Sequence, residues 1–187
     1  MKLYIKNMVS LRCKLVVKAE LEKLKLQHHI VELGEVEIMK DHLTKEKYDE
    51  LKAALHKSGL ELMDDERAIL VERIKNIIVE MVHYTDELPK VNFSDLLSEK
   101  LKLPYPKLSA LFSEVKGITI EHFILIHRIE RVKELIIYNE LNLTEIADKL
   151  NFSSISHLST SFKKVTGLTP SFFKAMKHKR RTVLENL

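Results

Sequence analysis

Two periods of hydrophobicity run through this chain, and the place where one gives way to the other divides it. Over residues 2–7, KLYIKN alternates apolar and polar positions, the period-two signature of a half-buried strand. LRCKLVVKAELEKL, residues 11–24, turns to helical spacing and predicts a helix with Leu15, Val16, Ala19 and Leu24 near one face. HIVELGEVEIM predicts a pair of strands turning at Gly34. Thr44 caps a helix expected to run through His56, Gly59 ends it, and LELM forms one more short strand. From Asp65 to Tyr84 a further helix places Leu70, Ile74, Ile77, Met81 and Tyr84 four and three apart, a stripe suited to packing within the chain or against a second copy. Beyond residue 88 helical spacing takes over entirely.

The segment NLTEIADKLNFSSISHLSTSFKKVTGLTPSFFKAMK, read from Asn142, has the grammar of a short helix, a tight turn and a second helix. Thr144 is placed to cap the first helix, with Ile146, Ala147 and Leu150 on one side. Asn151 stands where the turn needs a residue tolerant of positive φ, and Phe152 follows as an apolar plug. Ser153 or Ser154 caps the second helix. Leu158, Phe162 and Val165 form its inner side, and Ser156, Ser159, Thr160 and Lys163 its outer side. Gly167 ends it, and Thr169-Pro170 opens another helix. This is a helix-turn-helix, whose second helix can enter a DNA major groove.

The same grammar occurs 50 residues earlier. SALFSEVKGITIEHF, from Ser109, aligns with STSFKKVTGLTPSFF, from Ser159, with six of fifteen positions identical, among them Phe112/Phe162, Gly117/Gly167 and Phe123/Phe173. Upstream the offset becomes 49, pairing Leu97 with Ile146, Leu101 with Leu150 and Leu103 with Phe152. The extra residue falls in the turn, where length varies at little cost. Between the copies, Ile120 to Asn139 contains no Pro or Gly and carries Phe123, Ile124, Ile126, Ile129, Val132, Leu135 and Ile136 at helical spacing. A rod of that length is roughly 30 Å long, close to the roughly 34 Å between successive major grooves on one DNA face.

Residues from about Asn92 to Arg181 resemble the DNA-binding domain of the AraC/XylS transcription regulators. The likeness rests on HRIERVKELI, LTEIADKLNF and SHLSTSFKKVTGLTPSFFK. It implies tandem helix-turn-helix units joined by a long helix, and bacterial transcription regulation on double-stranded DNA. Matching positions that read bases in the family fall on Ile155, Ser156, His157, Ser159 and Thr160 of the second recognition helix. On the first they fall on Tyr105, Pro106, Lys107, Ser109 and Ala110. Lys163, Lys164, Arg128, Arg131 and Lys174 are candidate phosphate contacts, with Lys177, Lys179, Arg180 and Arg181 beyond them. The family commonly has arginine at the positions of Ala110 and Thr160. Its absence removes the strongest side-chain readout of guanine. Pro106 adds no polar reach, so the second unit is expected to do more of the base reading.

Charge follows the same division. Residues 1–88 hold 15 Lys+Arg and 17 Asp+Glu, so 15 − 17 = −2, while residues 89–187 hold 16 and 10, so 16 − 10 = +6. The basic half carries the helix-turn-helix units, as phosphate contact requires. No apolar run approaches a membrane span, and Met1 to Val9 lacks a signal-peptide core. A single cysteine excludes an intramolecular disulfide and suits a cytoplasmic location.

The first half, in the order β-α-β-β-α-β, fits a ferredoxin-like fold. Residues 2 to 63 also resemble heavy-metal-associated domains, whose Met-x-Cys-x-x-Cys loop holds copper. Here the segment reads Met8-Val9-Ser10-Leu11-Arg12-Cys13, with serine in place of the first cysteine. A hydroxyl substitutes poorly for a thiolate toward Cu(I). Cys13 and Met8 are therefore residual candidates in a domain expected to hold no metal or cofactor. His28 and His29 are read as surface residues.

The expected organisation is a ferredoxin-like domain over 1–64, a linker helix over 65–88, and an all-α tandem helix-turn-helix domain over 89–187. No phosphate loop, paired-carboxylate motif or nucleophile signature points to an enzyme. The favoured function is a sequence-specific transcription regulator with the N-terminal domain as sensor or docking module. RNA polymerase and a second copy of the chain are further candidate partners. The competing reading is an interaction or metal-handling module whose DNA-binding half binds without sequence preference.

Overall fold

The computed structural model describes residues 1–85 and 92–176. It is mostly helical, with a small antiparallel sheet near the N-terminus, and divides into two compact units, Met1–Ile77 and Ile78–Leu187. That division falls inside a helix, within the 65–88 stretch read as a linker helix.

The first unit begins β1 (Lys2–Lys6), α1 (Leu11–Lys23), β2 (His28–Glu32), β3 (Glu35–Ile38), α2 (Lys45–Lys57) and β4 (Glu61–Met63). The sheet order is β2-β3-β1-β4, antiparallel throughout. Alternation sends Leu3, Ile5, Val31, Val36, Ile38 and Leu62 to one face, where they share a core with Val17 and Leu21 of α1 and Leu51 and Leu55 of α2. The opposite positions, such as Lys2, Lys6, Glu35 and Glu61, pair across strands in exposed ion pairs that stabilise little.

The expected face of α1 needs correction. Leu15 is 66% exposed and Ala19 is also exposed, while Val17 and Leu21 are fully buried. The run Leu15-Val16-Val17 offers three apolar neighbours, and only the position of the sheet decides which of them turns inward. Thr44 does cap α2, accepting from the Lys47 amide at 3.3 Å.

Helix α3 (Glu66–Tyr84) follows, opened by the Asp65 carboxylate accepting from the amides of Arg67 and Ala68. Its Asn76 donates to the Leu33 carbonyl at 3.2 Å, beside the β2–β3 turn. Gly34 in that turn has φ +84°, and a Cβ there would lie 1.9 Å from the Asn76 amide nitrogen. Only glycine fits both the backbone and the neighbour. Val71, Ile74, Ile78, Val79, Met81 and Val82 are buried, whereas Leu70 and Ile77 of the expected stripe are half-buried and Tyr84 is exposed.

The second unit continues with α4 (Phe93–Leu101), α5 (Tyr105–Lys116), α6 (Ile120–Tyr138), α7 (Leu143–Lys149) and α8 (Ile155–Thr166), and residues 170–176 are helical. Helix α5 packs on α4 and α6, while α7 and α8 pack on each other and on α6. Thus α6 is the shared spine. Phe112 and Phe123 meet edge to face at 5.4 Å and 62°, and their repeat partners Phe162 and Phe173 meet at 5.6 Å and 62°. The same residue types at the same spacing have built the same ring pair twice.

Candidate nucleic-acid interface

Helix ends define where α5 and α8 stand. The α4–α5 turn passes through Lys102 at φ 56°, and the α7–α8 turn through Asn151 at φ 53°. Leu101 and Leu150 are buried before these residues, and Leu103 and Phe152 follow them. The second turn has one more residue before its helix starts, which reconciles the two offsets of the repeat. Gly117 and Gly167 end α5 and α8 in the left-handed region, and Thr119 and Thr169 cap the next helices, accepting from His122 at 3.1 Å and Phe172 at 3.2 Å.

The start of each unit is fixed differently. Asn142, not Thr144, caps α7, accepting from the amides of Thr144 and Glu145 while Glu145 returns a carboxylate to the Asn142 amide. This is a capping box, legible in the Asn-x-x-Glu spacing. Ser154 caps α8 by accepting from the His157 amide at 3.0 Å. Asn92 and Pro104, at the starts of α4 and α5, make no side-chain cap.

On α8, Ile155, Ser156, His157 and Thr160 are exposed on the outer side, and Ser159 is half-buried. Lys163 and Lys164 follow on the exposed surface of the same helix. The His157 ring is held from two sides. Its Nδ1 lies 3.0 Å from the Ser153 hydroxyl, and its edge meets the Phe152 ring at 5.5 Å. Ser153 is thus a partner of His157 four residues on, while Ser154 supplies the cap.

On α5, Lys107, Pro106 and Ala110 are exposed, whereas Ser109 and Tyr105 are half-buried. The Tyr105 hydroxyl donates to the Glu121 carboxylate at the start of α6. Burial and this bond raise the phenol, and the same bond holds the Glu121 carboxyl below its usual range. Tyr105 is tied down as well as presented. Glu121 was not singled out by its sequence setting, since nothing local announces a partner 16 residues away.

The phosphate candidates separate sharply. Arg128 is not a surface cation: its guanidinium donates to the Leu150 carbonyl and lies 3.9 Å from the centre of the Phe152 ring. Its Nε is buried with no hydrogen-bond partner among the described residues, and burial lowers its pKa to about 10. Arg131 pairs with Glu134 at 2.7 Å, and Lys174 is half-buried. Lys177, Lys179, Arg180 and Arg181 lie outside the described residues.

In the first unit, Met8 is wholly buried among the core side chains. Cys13 is half-buried, its Sγ 3.3 Å from the Ser10 hydroxyl. Burial raises this thiol, but hydrogen bonds from Ser10 and from the amides of Val9, Ser10 and Cys13 outweigh that and lower it. No group of three His, Cys, Asp or Glu side chains able to hold a metal ion occurs among the described residues. Nor is any described helix long and apolar enough to cross a membrane.

Residues 97–176 match the family model described as "Helix-turn-helix domain". The chain is 25% identical over 150 residues to the probable transcriptional regulator LumQ of Photobacterium leiognathi, covering 79% of this chain and 59% of that protein. An uncharacterized HTH-type transcriptional regulator of Staphylococcus aureus is 34% identical over 90 residues, 48% of this chain and 12% of its own length. The chain thus spans less than two thirds of the length of the curated relatives it matches. Among solved structures, the C-terminal domain of AraT, a response regulator from Geobacillus stearothermophilus, superposes with a TM-score of 0.50. That match has 24% identity and covers 60% of this chain and 88% of the other, a likeness of fold. Residues 97–176 thus match a helix-turn-helix domain, and the fold is like that of the AraT domain.

Proposed function

We propose that this chain is a sequence-specific, double-stranded-DNA-binding transcription regulator that presents α5 and α8 to successive major grooves. The observation that carries the reading is the duplicated helix-turn-helix on one spine, its two halves built around the same phenylalanine pair. Helix α6 has 19 residues, so it is about 28 Å long, commensurate with the spacing of major grooves on one DNA face. In this reading Ser156, His157, Thr160 and Ile155 of α8 meet base edges, with Ser159 beside them. Lys107, Ser109 and Tyr105 serve on α5. Lys163 and Lys164 contact phosphates, joined by Lys174 and Arg131 at the margin.

The first unit is proposed as a ferredoxin-like sensor or docking module, a reading supported by its element order and by its strand order. Regulation of transcription adds RNA polymerase as a proposed partner, with a second copy of the chain as another. Nothing favours catalysis in this reading, and the metal role of Cys13 and Met8 is set aside because Met8 is occupied in the core.

Selection of binding sites from a random DNA pool, at near-physiological salt and with the full chain, tests the proposal. The expected result is an enriched motif spanning about two helical turns, weakened by Ser156→Ala and Thr160→Ala. A half-length motif would make α5 a backbone clamp. Binding that fades with salt and enriches no motif would sink the regulator reading in favour of a non-specific module.

A further inference from the structure

A short helix-turn-helix must solve a geometric problem. Base discrimination needs side chains placed to within a fraction of an ångström, yet α7 has only seven residues and ends in a turn with a left-handed residue. The last carbonyls of such a helix lack intrahelical donors. Arg128 meets this need from across the domain. Its guanidinium donates to the Leu150 carbonyl at the C-cap of α7 and stacks on Phe152, the second residue of the turn after it. Phe152 in turn meets the edge of His157 in the first turn of α8, and Ser153, between them, bonds the ring's Nδ1. These contacts form one chain from the spine helix α6, through the turn, to an exposed side chain of α8.

We infer that Arg128 is a positioning residue for DNA sequence recognition, which sets the His157 imidazole through Phe152 and does not itself touch DNA. This rests on the reading of α8 as a recognition helix. In this proposal the Ser153 hydroxyl donates to Nδ1, which leaves the neutral ring's proton on Nε2. That nitrogen is then a donor, and the base edges it suits carry acceptors, N7 or O6 of guanine foremost. The first unit has no counterpart: Leu103 stands where Phe152 stands, and it offers no ring face to a guanidinium. Planarity matters to the device. Lysine could reach a carbonyl or a phosphate, but it could not stack on Phe152 as a flat guanidinium does.

The test uses the full chain with Arg128→Met, Arg128→Lys, Phe152→Leu and His157→Ala. Each is compared by site selection, and by affinity for the selected site and for random DNA across a salt series. The expected outcome is a fall of about tenfold in the ratio of specific to random affinity for Arg128→Met and Phe152→Leu. Both should lose preference at the same base position as His157→Ala. Random-DNA affinity and the salt slope should stay as in the unsubstituted chain. Arg128→Lys should recover little.

A direct phosphate contact would instead lower specific and random affinity together, reduce the salt slope by about one, and be rescued by lysine. That pattern overturns the inference. Phe152→Leu guards against misfolding of Arg128→Met, since leucine already fills the matching place in the first unit. A second readout is independent of DNA. The Phe152 amide, bonded to the Ala147 carbonyl at 2.8 Å, should exchange at least about tenfold faster in Arg128→Met. Unchanged exchange overturns the positioning role. If the unsubstituted chain enriches no motif, the regulator reading fails and takes the specificity role with it. The exchange measurement still decides whether Arg128 holds the turn.

Discussion

In the first helix-turn-helix unit, α4 and α5 begin without a side-chain cap, and α5 is tied by Tyr105 to Glu121. In the second, a capping box opens α7, Ser154 caps α8, and Arg128 closes the turn between them. The interiors are nevertheless alike: Leu97, Leu101, Leu108 and Phe112 are buried in one, and Ile146, Leu150, Leu158 and Phe162 in the other. The difference teaches that duplication preserves what a core needs and leaves helix ends free to find their own partners. Apolar volume must be filled in one way, whereas an end carbonyl or amide accepts many donors and acceptors. The second unit has the more thoroughly specified turn, which fits the larger share of base reading proposed for α8.

The largest effect should fall on the shared part. Phe112→Ala and Phe162→Ala should each cost about 3–5 kcal/mol, since both rings are fully buried. Urea unfolding would measure this, and a loss confined to one of them would break the equivalence of the two cores. The caps should separate the units next. Asn142→Ala is expected to cost about 1 kcal/mol, while Asn92→Ala should change stability by less than about 0.5 kcal/mol. Equal losses would show that the first unit is capped after all.

The turns give a smaller contrast of opposite sign. Lys102 holds a left-handed backbone with a side chain that disfavours it, so Lys102→Gly should stabilise by about 0.5–1 kcal/mol. Asn151→Gly should gain less, because asparagine already tolerates that region. A loss at Lys102→Gly, read by thermal unfolding, would mean that the lysine side chain contributes more than its backbone costs.

The smallest effect is on pH. His83, near the end of α3, lies 3.2 Å from His127 of α6 and 3.8 Å from Glu134. Burial lowers its pKa from 6.5, against the opposing pull of Glu134. The unfolded chain therefore takes up a proton at His83 before the folded one does. Stability from this group is complete above pH 6.5 and declines as pH falls through the lower folded value. The unfolding midpoint should drop on acidification below that pH, and less in His83→Gln. A midpoint equally pH-sensitive in both would place the titration elsewhere.

Much of this molecule was settled by its sequence. The β2–β3 turn at Gly34, the Thr44 cap, the left-handed turn at Asn151, the helix ends at Gly117 and Gly167 and the doubled Phe pair can all be read from neighbours a few residues apart. Such features are local, because backbone sterics and helical spacing act within one or two turns. Tertiary structure alone decided which of three adjacent apolar residues of α1 turns to the sheet, whether Met8 meets solvent, and where Arg128 directs its charge. Those outcomes depend on what lies across the domain. A long cation reads as a surface residue until a carbonyl and an aromatic face, more than twenty residues away, draw it inward.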